Sequence, residues 1–155
     1  MSIRGREREH WDQPLIDSRS SGEVCLVGYR RHGVMRFMFQ ASWEPGLHDR
    51  VELHPSVCIP PGGTAGHGDI RMRQLCFTGR LRRQVWQSDE GGRFWRDRSV
   101  YRVVEVDDPG PLPEPFVELT PREIGWLAPR GVFTNEARSA ISLLLSTSPG
   151  RASPA

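Results

Sequence analysis

The segment Pro60-Pro61-Gly62-Gly63-Thr64-Ala65-Gly66-His67-Gly68 limits the fold of this chain more than any other. Its prolines remove backbone donors and its glycines carry a large entropic cost of ordering, so it suits neither a helix nor a central strand. We read it as a surface loop. A second punctuator, Asp107 to Pro115, holds four prolines and is expected to close a strand-rich region. The 155 residues, 37% of them apolar, suit one core rather than two.

Before the second punctuator the pattern is β. Val24, Leu26 and Gly28 alternate with Cys25, Val27 and Tyr29, and Val34, Phe37, Met38 and Phe39 follow Arg30-Arg31-His32-Gly33. Two such runs around a glycine-containing turn predict a hairpin. Val51 to Ile59, Met72 to Phe77, Leu81 to Gln87 and Val100 to Val106 are the further expected strands, mostly antiparallel. After the second punctuator come the helix signals. Thr120-Pro121-Arg122-Glu123 is a capping box with proline at the first helical position. Gly125 and Pro129 keep that helix short. Thr134 or Asn135 caps a second helix with Ala137, Ile141, Leu144 and Leu145 at helical spacing. The expected organisation is a flexible arm over 1–21 with a possible anchor at Trp11 to Ile16, one α+β domain over 22–145, and a disordered tail over 146–155. No internal repeat is evident.

All 21 basic residues are arginine against 19 acidic ones, for a net charge of +2. The absence of lysine removes Schiff-base chemistry. Cys25, Cys58 and Cys76 form no CxxC and have no histidine at ligand spacing, so neither a disulfide framework nor a structural zinc is expected. The histidines show no HxH or HExxH, no metal is assigned, and no GxSxG elbow is present. The start of the chain has no apolar leader and Ala140 to Leu145 is too short to span a bilayer. No membrane association and a cytoplasmic location are expected.

Residues 71–102 gather nine arginines against three carboxylates. The planar guanidinium fork suits an anionic ligand; a solvated sheet face with snorkelling arginines is the alternative. Within the stretch, Gln87-Ser88-Asp89-Glu90-Gly91-Gly92-Arg93-Phe94-Trp95-Arg96 is the densest polar constellation. Gln87, Glu90 and Arg93 are candidates to converge on a ligand, or else to decorate a turn. Phe94, Trp95 and Tyr101 between arginines also permit base stacking on single-stranded nucleic acid. Glu44, after Trp43 at a strand end, is a candidate base, and His67 a candidate acid or base near neutral pH. Each also suits an exposed loop position.

Read in order, several segments carry a resemblance. They are Trp11 to Ile16, Val24 to Gly28, Val34 to Ala41, Glu44-Pro45-Gly46, Leu53-His54-Pro55-Ser56-Val57, Gln87 to Gly91, Phe94, Val103 to Val106 and Phe133 to Leu145. Together they resemble the NDP-hexose 2,3-dehydratase family of deoxysugar biosynthesis. The QSxxG block, the VVEV strand and the N-x-x-R-S-x-(I/V)-S-x-L pattern of Asn135 to Leu144 are its most specific parts.

The resemblance implies a Nudix-like mixed or antiparallel sheet with short C-terminal helices. It implies a lyase of natural-product or antibiotic biosynthesis that removes water across C2 and C3 of a dTDP-linked 4-keto-6-deoxyhexose. No cofactor is implied. The family's usual chain carries two such units, so a homodimer is the expected assembly, and nucleic acid is not the expected partner. The reaction needs a base for the C3 proton, a donor for the enolate and an acid for the leaving hydroxyl. Glu44 or Glu90 is the candidate base, with His67 a further acid–base candidate. Gln87 or Gln40 is the candidate enolate donor, and Arg93, Arg96 or Arg98 the diphosphate ligand. Ser88, Cys58 and Trp43 complete the candidate substrate contacts. Cys58 stands where the family has glutamine, and Ile59 to Thr64 replaces a polar run, so the pocket lining differs from the family pattern. The same fold acting on a different biosynthetic intermediate, and a non-catalytic nucleotide or nucleic-acid module, are the alternative readings.

Overall fold

A computed structural model of the chain describes residues 17, 20–43, 51–63, 70–88, 95 and 97–145. Among these residues seven strands form one mixed sheet: β1 (Gly22–Arg31), β2 (Val34–Trp43), β3 (Val51–His54), β4 (Val57–Ile59), β5 (Arg80–Ser88), β6 (Arg98–Val106) and β7 (Phe116–Leu119). Three helices accompany them: α1 (Ile70–Thr78), α2 (Pro121–Leu127) and α3 (Asn135–Leu145). The α+β class and mixed sheet are those expected. The N-terminal arm, with the anchor expected at Trp11 to Ile16, and the C-terminal tail lie largely or wholly outside the described residues.

The sheet runs β3-β2-β1-β6-β5, with β4 added on β1 and β7 on β2. β1 and β6 are parallel and largely buried on both faces, which explains why apolar residues follow one another over Val24 to Val27 and at Val100-Tyr101 and Val103-Val104. The expected hairpin forms between β1 and β2. Its turn places His32 and Gly33 at φ 51° and 78°, the positive values a two-residue hairpin turn requires.

Beyond the Gly28–Phe37 pair the hairpin splays. β4 pairs with Glu23 to Cys25 on β1, while β7 and β3 pair with β2 over Phe37 to Trp43. Ser56 bridges the opening: its hydroxyl accepts from the Val27 amide at 2.9 Å and donates to the Met38 carbonyl at 2.6 Å. Pro55 and Ser56 therefore divide what the sequence suggests is one strand, Val51 to Ile59, into β3 and β4.

One face of the sheet carries Val24, Leu26, Phe37, Phe39, Tyr101 and Val103 against Ile124, Phe133 and the inner side of α3. The other carries Cys25, Val27, Met38, Val57 and Val104 against Met72 and Cys76 of α1. That helix corrects the strand expected over Met72 to Phe77. Met72, Leu75 and Cys76 sit at helical spacing and turn inward together, and the Gly79 amide closes the helix on the Leu75 carbonyl at 2.8 Å. Cys25 and Cys76, 51 residues apart, form a disulfide. This corrects the expectation of no disulfide, which rested on sequence spacing when the bond depends on spatial approach. The proline segment also does not end the strand region, because β7 follows it and pairs with β2.

Both helix caps form as read. Thr120 and Glu123 complete the capping box of α2, and the Thr134 hydroxyl accepts from the Ala137 amide at the start of α3. The hydrogen bonds in the α2 box hold the Glu123 carboxyl below its ordinary range.

Candidate active-site cavity

A cavity of about 880 Å³ lies at the end of the sheet where β1, β4, β5 and β6 meet the first turn of α3. Strand register supplies its floor. Val85 stands opposite Tyr101, Tyr101 opposite Val24, and Val24 opposite Cys58. Since paired residues share a face, the four form one row across the sheet. Gln87, two residues beyond Val85, stands opposite Ser99 on the same face, and Ser88 is at the rim.

The wall is α3. The backbone of β3 fixes its start, the Leu53 amide donating to the Val132 carbonyl and the Thr134 amide to the Leu53 carbonyl. Buried Ala137, Ala140 and Ile141 then seat the helix on the core. This leaves Asn135, Glu136, Arg138 and Ser139 lining the cavity. Arg138 donates to the Asn135 side chain. Cys58, Ile59, Pro60 and Pro61 line it from the β4 side.

Of the residues singled out in the sequence, Gln87, Ser88, Cys58 and Tyr101 meet in this cavity. Arg98 lies next to it: its guanidinium stacks over Trp86 at 4.9 Å, and with Trp95, Asp97 and Ser88 it lines a neighbouring cavity of about 650 Å³. Gln40 is elsewhere. It pairs with His54 and Phe116 and shares the α1 face of the sheet with Met38, because alternation along β2 sends it opposite to Phe39. Its Oε1 is buried with no hydrogen-bond partner among the described residues. Trp43, at the end of β2, is 64% exposed and does not line either cavity. Glu44, Glu90, His67, Arg93 and Arg96 lie outside the described residues.

Reasoning from single residues missed Ser99, Asn135, Glu136, Arg138 and Ser139, and marked Tyr101 only for base stacking. A signal for three of them was present, since Asn135, Arg138 and Ser139 are the polar positions of the N-x-x-R-S pattern.

The arginine stretch divides by position. Arg80 and Arg82, joined by Arg30, surround Glu105; Arg102 pairs with Glu23 and with Gln84; Arg71 donates to the Pro109 and Pro111 carbonyls. These form structural contacts; of the other described arginines of the stretch, Arg73, Arg83 and Arg98, it is Arg98 that lines a cavity. At Glu105 burial pushes the carboxyl up. The hydrogen bond and charge of Arg82, with the charges of Arg80 and Arg30, outweigh it and hold the group below its ordinary 4.5. Among the described residues no cluster of His, Cys, Asp and Glu could hold a metal ion. No described helix is long and apolar enough to cross a membrane.

Comparison with known proteins places this arrangement in context. The sequence model of the NDP-hexose 2,3-dehydratase family matches residues 1–144. The chain is 30% identical over 153 residues to the dTDP-4-dehydro-6-deoxy-alpha-D-glucopyranose 2,3-dehydratase of Amycolatopsis orientalis, covering 93% of this chain and 32% of that protein. It is 34% identical over 125 residues to the enzyme of the same name from Streptomyces violaceoruber, covering 77% and 28%. The chain therefore spans about a third of the length of these relatives. Among solved structures, the C. elegans Ap4A hydrolase is similar with a TM-score of 0.47 at 12% identity, covering 81% of this chain and 93% of that one. A Nudix hydrolase from M. smegmatis, RenU, is similar with a TM-score of 0.45 at 13% identity, covering 82% and 84%.

Proposed function

Because this chain belongs to the NDP-hexose 2,3-dehydratase family, we propose that it supplies one unit of a lyase acting on a dTDP-linked 4-keto-6-deoxyhexose. The reaction removes water across C2 and C3. One observation carries the reading: the QS block of β5 and the N-x-x-R-S block of α3, far apart in sequence, line the same cavity. In this reading the sugar lies over the floor formed by Tyr101, Val24 and Cys58. The Gln87 amide donates to the C4 oxygen as enolate charge develops there. Arg98 and Arg138 hold the diphosphate, with Arg93 and Arg96 as further candidates. Glu44, Glu90 and His67 remain candidates for proton transfer. Loss of water involves no net redox change, so the chemistry calls for no redox cofactor.

The setting we propose is deoxysugar and antibiotic biosynthesis in the cytoplasm, with a second copy of the chain as partner. Light scattering that finds only monomer at working concentration refutes the partner. For the substrate, thermal shift with dTDP, UDP and dTDP-glucose is the test, since binding to the folded state raises stability by mass action. A saturable shift selective for dTDP supports the reading, and no shift at millimolar ligand refutes it. A second reading, the same cavity acting on a different biosynthetic intermediate, is favoured by Cys58, Ile59, Pro60 and Pro61. These lining residues are where the sequence departs from the family pattern.

A further inference from the structure

We propose that Glu136 is the acid–base group of this cavity, taking the C3 proton of the bound 4-keto sugar and returning it to the departing C2 oxygen. The assignment rests on the sugar-nucleotide reading above. Three observations carry it. Glu136 is the one carboxylate among the described residues that line the cavity. Its neighbours Asn135 and Arg138 hydrogen-bond each other, whereas no hydrogen bond or ion pair engages the half-buried Glu136 among the described residues. It is thus available to a ligand. It also stands in the first turn of α3, on a helix whose start is tied to β3 and whose inner face is buried, so its carboxylate is held at the cavity wall.

The step balances with this one group. The ionised carboxylate accepts the C3 proton; the C3–H electron pair forms a C3–C4 double bond, and the carbonyl pair moves onto the C4 oxygen, which Gln87 faces. The enolate then collapses, forming the C2–C3 double bond as the C2–O bond breaks. The hydroxyl leaves with the proton held on Glu136, as water. Glu136 ends as it began, and no oxidant or second acid is consumed.

The test compares the full chain with Glu136→Gln, measuring melting temperature, dTDP affinity by calorimetry, and water loss from dTDP-4-dehydro-6-deoxyglucose by mass spectrometry. The expected variant melts as the parent does and binds dTDP within about threefold. Its water loss falls by about 100-fold or more, and Glu136→Asp restores part of it. Turnover by Glu136→Gln at the parent rate overturns the assignment, as does abolition of turnover by Glu90→Gln but not by Glu136→Gln. If the parent neither binds dTDP nor releases water, the sugar-nucleotide reading has failed and the assignment falls with it. Parent turnover that Glu136→Gln shares removes the assignment alone.

Discussion

Replacing Ser56 by alanine tests the account of how the sheet accommodates its splayed hairpin. Ser56 is fully buried, and its hydroxyl serves two main-chain groups, the Val27 amide and the Met38 carbonyl. Both residues are themselves fully buried, so water has no direct route to replace the hydroxyl. A buried polar group that loses its partner costs about 1–3 kcal/mol, and two such groups give about 2–6 kcal/mol. Loss of one oxygen from a tight site adds little cavity by comparison. A chain of this size shifts by about 2–4 °C per kcal/mol, so a loss of about 3 kcal/mol lowers the melting temperature by about 6–12 °C. Urea unfolding gives the free energy, and hydrogen exchange at the Val27 amide shows whether the loss is local. Val57→Ala, an apolar truncation one residue away, controls for general loosening of β4. A Ser56→Ala variant within about 0.5 kcal/mol of the parent, with Val27 still protected, refutes the bridging role.

Further outcomes follow from other parts of the molecule. Glu105→Gln is expected to cost about 1–2 kcal/mol at pH 7, a modest value because the arginines around it are largely exposed and screened. The native carboxyl is held below 4.5. Its contribution is therefore fully present above the ordinary carboxylate range and lost as pH falls through the lowered native value. Urea titrations should show parent and variant converging in that acidic window, and a constant gap down to pH 2 contradicts the ion-pair account. Gln87→Ala and Arg138→Ala are expected to reduce activity at least tenfold with melting temperatures unchanged, Arg138→Ala acting mainly on substrate affinity; steady-state kinetics separate the two. Thr134→Ala should cost about 1 kcal/mol through loss of the α3 cap, measured by chemical denaturation.

Local patterns dictate much of the fold. The β1–β2 turn, both helix caps and strands β5 and β6 are decided by residues close in sequence, and all appear where read. The α1 segment reads as a strand in sequence because Met72, Leu75 and Cys76 make too short an apolar pattern to separate helix from strand. Only packing of those three against β1 and β6 settles it. The β7 strand was missed because Phe116 to Leu119 is brief and follows four prolines; pairing to β2 makes it a strand.

The candidate site divides in the same way. The sequence marked Gln87, Ser88 and Cys58, and its family pattern marked Asn135, Arg138 and Ser139. Nothing in the order of residues says that these six share a cavity, because that depends on β1, β4, β5 and β6 standing side by side. Nor does it say that Gln40 belongs to the other face, since alternation assigns sides only once strand register is known. What the sequence by itself determined is the set of turns, caps and apolar runs, because those are local free energies of a few residues each. What the tertiary structure decided is which polar groups meet: the Cys25–Cys76 bond, Ser56 within the opened hairpin, the arginines gathered on Glu105, and Glu136 at the cavity. Each joins segments about twenty or more residues apart, and only the packed sheet brings them within bonding distance.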